Sequence, residues 1–259
     1  MKTSSALPDR IADFFVANIA AEKLEPGTKL PPYRQLAESL DVDQTSLRVA
    51  LRVLTRMGLI SSVQGSGMRV NDYRKVAGLD FIDNLYQIEA LELGSELLGE
   101  ALDIFIDITP RLLPKVLPNL SDDARLQCQV LLNQLVEAAE AGKPAAELAS
   151  LDISVFDVVN YELPSLFAQL ALNSSEALRL ELTAKLYASV DAVQHTRALK
   201  AIFMSGMLGD INGEEIGQQL KALIVEALEK IRGHLTALPA KPTITQPIIP
   251  GATVYLEIA

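Results

Sequence analysis

The chain has 259 residues, 49% of them hydrophobic and 22% charged, which suits one large or two ordinary globular domains and excludes a disordered chain. Lys plus Arg number 23 against 33 Asp plus Glu, and the net charge of -10 argues against a surface that holds nucleic acid everywhere. The single cysteine, Cys128, forms no intrachain disulfide, and neither an apolar leader in Met1 to Arg10 nor a run of about 20 apolar residues is present, so a soluble, cytoplasmic protein is expected.

The charge is unevenly spread. Residues 1–75 hold eleven Lys or Arg against eight Asp or Glu, whereas the remaining 184 hold 12 against 25, so a small basic module precedes an acidic one. In the first module Ile11, Phe14, Phe15, Ile19 and Leu24 share a helical face, and Glu25-Pro26-Gly27 ends that helix. Pro31-Pro32 opens a short second helix with Leu36, Ala37 and Leu40 inward, since proline lacks only an amide that a first turn leaves unpaired. Asp43 is the expected N-cap of a third helix, in which Leu47, Ala50, Leu51 and Leu54 face inward and Gln44, Thr45, Arg48 and Arg52 face out. Two extended runs, Leu59 to Val63 and Met68 to Val70, flank Gln64-Gly65-Ser66-Gly67 and predict a hairpin with a glycine-rich tip. Three helices and a hairpin make a winged helix-turn-helix.

From Val76 onward apolar residues recur every three or four positions near 79–109, 121–141, 144–160, 163–190, 191–205 and 212–235. Breaks are expected at Pro110, Pro114, Pro118, Gly142-Lys143-Pro144, Pro164 and Gly206 to Gly213. The fold class that follows is mainly α: the winged helix, then an all-α bundle of six or seven helices. The expected divisions are 1–75, 76–236 and an extended, proline-rich tail at 237–259, in which Val254 to Ile258 has the character of a strand.

The run Pro26-Gly27-Thr28-Lys29-Leu30-Pro31, then Arg34-Gln35-Leu36-Ala37, Val42 through Arg48, Leu54 with Gly58-Leu59-Ile60, and the Gly65-Ser66-Gly67 wing resembles the DNA-binding domain of GntR-family bacterial transcription regulators. The resemblance covers about residues 7–71. Val70 to Tyr73, Gly78 to Leu85, and Leu151-Asp152 with Phe156 are similar to the FadR branch, whose C-terminal helical domain responds to fatty acids. It implies a homodimer that binds operator DNA, with the third helix in the major groove. Arg34 and Arg48 match family positions for base or phosphate contact, Thr45 and Ser46 offer hydroxyls to phosphate oxygens, and the wing residues Gln64, Gly65 and Gly67 bring backbone to the minor groove. The family usually carries Ser or Thr and then Arg where this chain has Asp43 and Gln44. Arginine pairs with guanine and glutamine with adenine, so adenine is expected at that base.

Many relatives hold a metal in the helical domain through an Asp, a His one turn later and two further histidines. Asp152 matches the first position, Phe156 stands at the second, His195 fits a later one, and no histidine lies near Lys221, so no metal and no cofactor are expected. Metal loss is shared with the acyl-CoA-binding branch, whose last-helix ligand positions fall here on Ile224, Ala227 and Ile231. The effector implied is an apolar ligand of the fatty acid or acyl-CoA kind; a small carboxylate near Asp152 and His195, or a ligand-blind dimeric repressor, are the alternatives. No enzyme is expected: two histidines, one cysteine, no phosphate-binding glycine-lysine loop and no Gly-x-Ser-x-Gly elbow offer nothing for catalysis.

Overall fold

The computed structural model describes residues 6–63 and 67–249, which fall into two compact units, one of residues up to Gly94 together with those from Pro239, the other Ser95–Leu238. In the first unit α1 (Leu7–Ala20) starts on Pro8 and buries Ile11, Phe14, Phe15 and Ile19. The short α2 (Tyr33–Ser39) buries Leu36 and Ala37. In α3 (Gln44–Arg56) the residues Leu47, Ala50, Leu51 and Leu54 are buried, and the Asp43 side chain caps the first turn by accepting from the Ser46 amide at 2.8 Å. α1 packs across α3, which turns the polar face of α3 outward.

The wing is an antiparallel pair of β1 (Ile60–Val63) and β2 (Gly67–Val70), with Ile60 opposite Val70. A third extended piece lies along the free edge of β2. The Val70 amide donates to Thr28 O at 2.9 Å, the Leu30 amide to Met68 O at 2.9 Å, and Lys29 bridges Arg69. Residues 27–30 are bounded by prolines and too short for an alternating pattern, so nothing local marks them as a strand.

α4 (Tyr73–Val76) and α5 (Leu79–Gln87) follow, and α5 packs on α1 with Phe81 and Leu85 buried. The expected boundary at residue 75 therefore differs from the observed division at Gly94, because the apolar face of α5 is buried in the first unit. The same unit takes residues of the C-terminal tail. β3 (Leu91–Glu92) pairs antiparallel with the later strand Thr243–Ile244, the Thr245 amide donates to Ala90 O at 2.8 Å, Arg10 donates to Ile248 O at 3.1 Å, and Ile249 is buried. Gly94 allows this strap to close, since a Cβ there would fall 2.3 Å from the Ala240 carbonyl oxygen. Val254 to Ile258 lies outside the described residues.

The second unit is a bundle of seven α-helices: α6 (Ser95–Val116), α7 (Asp122–Glu140), α8 (Ala145–Tyr161), α9 (Leu166–Asn173), α10 (Glu176–Ser189), α11 (Ala192–Leu208) and α12 (Gly213–Leu235). The last strand, β4, is Thr243–Ile244 of the strap. Ser121, Asp191 and Asn212 cap α7, α11 and α12, the last with a reciprocal bond to Glu215. The core gathers Cys128, Leu132 and Leu135 of α7, Val155 and Val159 of α8, and Leu199 and Phe203 of α11.

Three sequence expectations change here. The 79–109 segment divides at Ile88–Gly94, and 163–190 divides at Ser174-Ser175. Pro110 and Pro114 do not break a helix, since α6 runs through both. Their missing amides weaken the helix locally, but they meet two glycines one turn apart on α12: a Cβ on Gly217 would lie 3.0 Å from Pro110 O, and one on Gly213 would lie 3.4 Å from Pro114 Cβ. Packing against that smooth strip holds α6 in shape. Among the described residues no helix is long and apolar enough to cross a membrane.

Candidate nucleic-acid interface and bundle interior

The outward face of α3 carries Gln44, Thr45, Arg48, Val49, Arg52, Val53 and Arg56, all exposed, and Ser46 is half-buried. Ser46 is engaged in the cap, where its amide and hydroxyl hold the Asp43 carboxyl below the usual carboxylate range. Arg34, on α2, is exposed and pairs with Glu38 at 2.9 Å. The Arg48 guanidinium lies over the ring of Tyr33, 5.9 Å from its centroid, which anchors the arginine at the junction of α2 and α3. Gly67 has a φ of +85°, a left-handed conformation that favours glycine, at the start of β2. Gln64 and Gly65 lie outside the described residues.

Thus the fold brings Gln44, Thr45 and Arg48 onto one surface and leaves Arg34 beside it on α2. Two neighbours were missed. Tyr33 orients Arg48, and the Lys29 side chain lies 3.7 Å from where a Cβ on Gly67 would stand, at the base of the wing. The helical period could have found Tyr33, but Lys29 is placed only by its pairing with β2.

In the bundle interior the polar residues found by sequence gather around one that was not. Tyr187 of α10 donates from Oη to Asp152 Oδ2 of α8 at 2.5 Å, and its ring stands edge-on to that of His195 of α11, with centroids 5.7 Å apart. All three are buried. Burial pushes the Asp152 carboxyl up to about 6, partly opposed by the Tyr187 hydrogen bond, and raises the Tyr187 phenol well above its ordinary value. Burial also lowers His195 to about 4, so the ring is neutral at pH 7, with Glu226 and Lys230 of α12 acting on it in opposite directions. Phe156 packs edge-on to Phe203, with centroids 5.4 Å apart. On α12, Ala227 and Ile231 are buried and Ile224 is half-buried.

This donor set does not fit a metal. The Asp152 oxygen is taken by a phenol, an aromatic ring stands at residue 156, and among the described residues no three His, Cys, Asp or Glu side chains converge. A different feature lies between α7 and α8, an open groove of about 520 Å³ with Ser121, Asp123, Gln127, Asp157, Tyr161 and Glu162 among its walls. Behind it the buried Arg179 donates to Asp157 Oδ1 at 3.1 Å and to Leu172 O at 3.3 Å.

Residues 7–70 match the family described as "Bacterial regulatory proteins, gntR family". The chain is 33% identical over 163 residues to an HTH-type transcriptional regulator of Mycobacterium tuberculosis, a match that spans 61% of this chain and 64% of that protein, just under two thirds of it. It is 24% identical over 180 residues to the fatty acid metabolism regulator protein of Salmonella paratyphi B, covering 70% of this chain and 72% of that one. Among solved structures, the Lar protein described as controlling the Listeria monocytogenes agr system aligns with a TM-score of 0.53 at 14% identity, covering 89% of this chain and 98% of that chain, a likeness of fold.

Proposed function

We propose, on the match of residues 7–70 to the gntR family of bacterial regulatory proteins, that the chain is a homodimeric transcription regulator whose first unit binds operator DNA and whose helical unit senses a small molecule. The exposed face of α3, with Arg48, Arg52 and Arg56 on a helix fixed from behind by four buried apolar residues, carries the reading. Such a helix enters the major groove, with its N-terminal residues at base edges and its cations at phosphates. Gln44 then meets an adenine, Thr45 and Arg48 lie within reach of the backbone, Arg34 exchanges its bond to Glu38 for a phosphate, and the wing residues Gln64, Gly65 and Gly67 approach the minor groove.

For the effector we favour an apolar ligand of the fatty acid or acyl-CoA class over a small carboxylate. The resemblance to a fatty acid metabolism regulator supports it. So does the polar interior: burial and the Tyr187 phenol are the influences on Asp152, and His195 is neutral, so at these two residues an incoming carboxylate finds an acid and an uncharged ring. Asp152, Phe156, His195, Ile224, Ala227 and Ile231 remain the residues to test. An effector acts only by preferring one arrangement of the dimer over another.

Selection of random duplexes by the full chain tests the DNA reading, with enrichment of a two-half-site sequence expected and recovery of unenriched DNA against it. Thermal stability and operator affinity are then measured with acyl-CoAs, free fatty acids and small dicarboxylates. The reading expects the first two classes to raise the melting temperature and change operator affinity, since a ligand bound only by the native state stabilises it. A response to dicarboxylates alone favours the other effector class, and none to any of them favours the ligand-blind repressor.

A further inference from the structure

The exposed face of α3 has a centre line, and Gln44 and Arg48 are not on it. With 3.6 residues per turn, the line directly opposite buried Leu47, Ala50, Leu51 and Leu54 runs through Thr45, Val49, Arg52 and Arg56. Gln44 and Arg48 stand to one side, toward α2, where the Arg48 guanidinium lies over the Tyr33 ring. The crest of the helix in its first two turns is thus formed by two β-branched residues, Thr45 and Val49.

Val49 is 45% exposed. A water-facing valine gains little from burial, and it is a poorer helix former than the Ala, Arg, Lys or Glu that an exposed position would accept. Neither core packing nor helix propensity accounts for it. Of its neighbours on the exposed face, Arg48 and Arg52 are cations and Val53, one turn on, is apolar and 40% exposed, so the crest offers methyl groups flanked by positive charge matched to a polyanion. In a major groove the apolar feature of a base edge is the thymine C5 methyl, absent from the other three bases. Thr45 and Val49, one turn apart, place methyl groups about 5–6 Å from each other along the crest.

We propose that Val49, with the Thr45 methyl beside it, reads a thymine methyl group in each half-site, next to the base contacted by Gln44. This rests on the DNA-binding reading above. Thymine is then selected by shape at a base pair to which no side chain donates a hydrogen bond, and Arg52, one turn further along, holds the adjoining phosphate. Val49 is a specificity residue of α3, and its contribution disappears when either methyl partner is removed.

Deoxyuridine supplies the test, because it keeps every hydrogen-bonding group of thymidine and lacks only the methyl. Duplexes enriched by the full chain are resynthesised with single thymidines replaced by deoxyuridine, and affinities are read by fluorescence anisotropy for the wild type, Val49→Ala and Val49→Thr. The expected result is one thymine per half-site whose replacement weakens wild-type binding by about 3–10-fold. Val49→Ala should bind the thymidine duplex that much more weakly and no longer distinguish it from the deoxyuridine duplex, while Val49→Thr, which keeps one methyl, retains part of the difference. Circular dichroism and melting temperature confirm that the variants fold, which an exposed substitution permits. Equal binding of every deoxyuridine duplex by the wild type, or undiminished discrimination by Val49→Ala, overturns the proposal and leaves DNA binding standing. Failure to enrich any sequence overturns both together.

Discussion

The Tyr187 phenol donates a 2.5 Å hydrogen bond to the Asp152 carboxylate across the bundle interior, joining α10 to α8 between residues 35 positions apart. His195 stands edge-on to the same ring, so the phenol links two polar residues of the bundle interior. Removing the donor by Tyr187→Phe leaves a buried carboxylate without its partner, a loss of about 1–3 kcal/mol. Urea denaturation above pH 7 should show it, and an unchanged midpoint would mean that water replaces the phenol at no cost.

Asp152 and His195 set opposing pH dependences. The Asp152 carboxyl stands at about 6 in the fold against an ordinary 3.8, so between those values the folded state keeps a proton that the unfolded chain has lost. Its contribution to stability falls as pH rises from about 4 to about 6. His195, lowered to about 4 from 6.5, is neutral in the fold where the unfolded chain is charged, so its contribution falls as pH drops through the same range. Each amounts to about 3 kcal/mol over the window, and they largely offset. Asp152→Asn should therefore lose stability relative to the wild type on acidification from pH 6 to 4, and His195→Gln should gain it. Parallel denaturation profiles for the two variants would refute the opposition.

EDTA and added Zn²⁺ are expected to leave the melting temperature of the purified chain unchanged, because Asp152 is already hydrogen-bonded and Phe156 offers no ligand atom. A rise with one equivalent of Zn²⁺, or one bound metal per chain by elemental analysis, would contradict the donor set described above.

Gly94 controls the C-terminal strap. In Gly94→Val the Cβ would meet the Ala240 carbonyl, so residues 239–249 should leave the first unit and free the Lys241 side chain from Glu22. Thermolysin cleavage before Ile244 should then accelerate by about tenfold for every 1.4 kcal/mol of local stability lost. Cleavage at the wild-type rate would show that the strap shifts to accommodate the side chain.

The two prolines of α6 make a contrast between glycines. Gly217→Ala sets a methyl 3.0 Å from Pro110 O, and the overpacking of about 1–3 kcal/mol outweighs the helix propensity gained. Gly99→Ala, on the same α6 with nothing within 4 Å of its Cβ, should instead stabilise by up to about 1 kcal/mol. Thermal melts that shift the same way for both would show that α6 and α12 part easily.

Gln44 should govern one base. Duplex selection with the wild type is expected to yield adenine at the position it contacts, and Gln44→Arg should move that position to guanine at a cost of about 1–3 kcal/mol for the original base. An invariant guanine in the wild-type selection would remove Gln44 from base recognition.

The winged helix was legible because its signals are local. The spacing of Leu47, Ala50, Leu51 and Leu54 carries the helical period, Asp43 carries the cap, and the -10 of the whole chain resolves, residue by residue, into a basic first segment and an acidic remainder. The bundle was legible as a class for the same reason, its helices repeating apolar residues at the helical period. Other features depend on residues that meet only in space. Leu91 pairs with Ile244, Tyr187 finds Asp152, and Gly213 and Gly217 accept Pro114 and Pro110, none of which leaves a local pattern. Proline read alone predicts a break in α6, yet burial against glycine keeps the helix whole. The sequence by itself thus determined the elements and the face that α3 turns outward, since both follow from periodicity and caps. Tertiary structure decided which buried polar groups are partnered and where the tail returns, because those depend on long-range packing whose free energy no local spacing encodes.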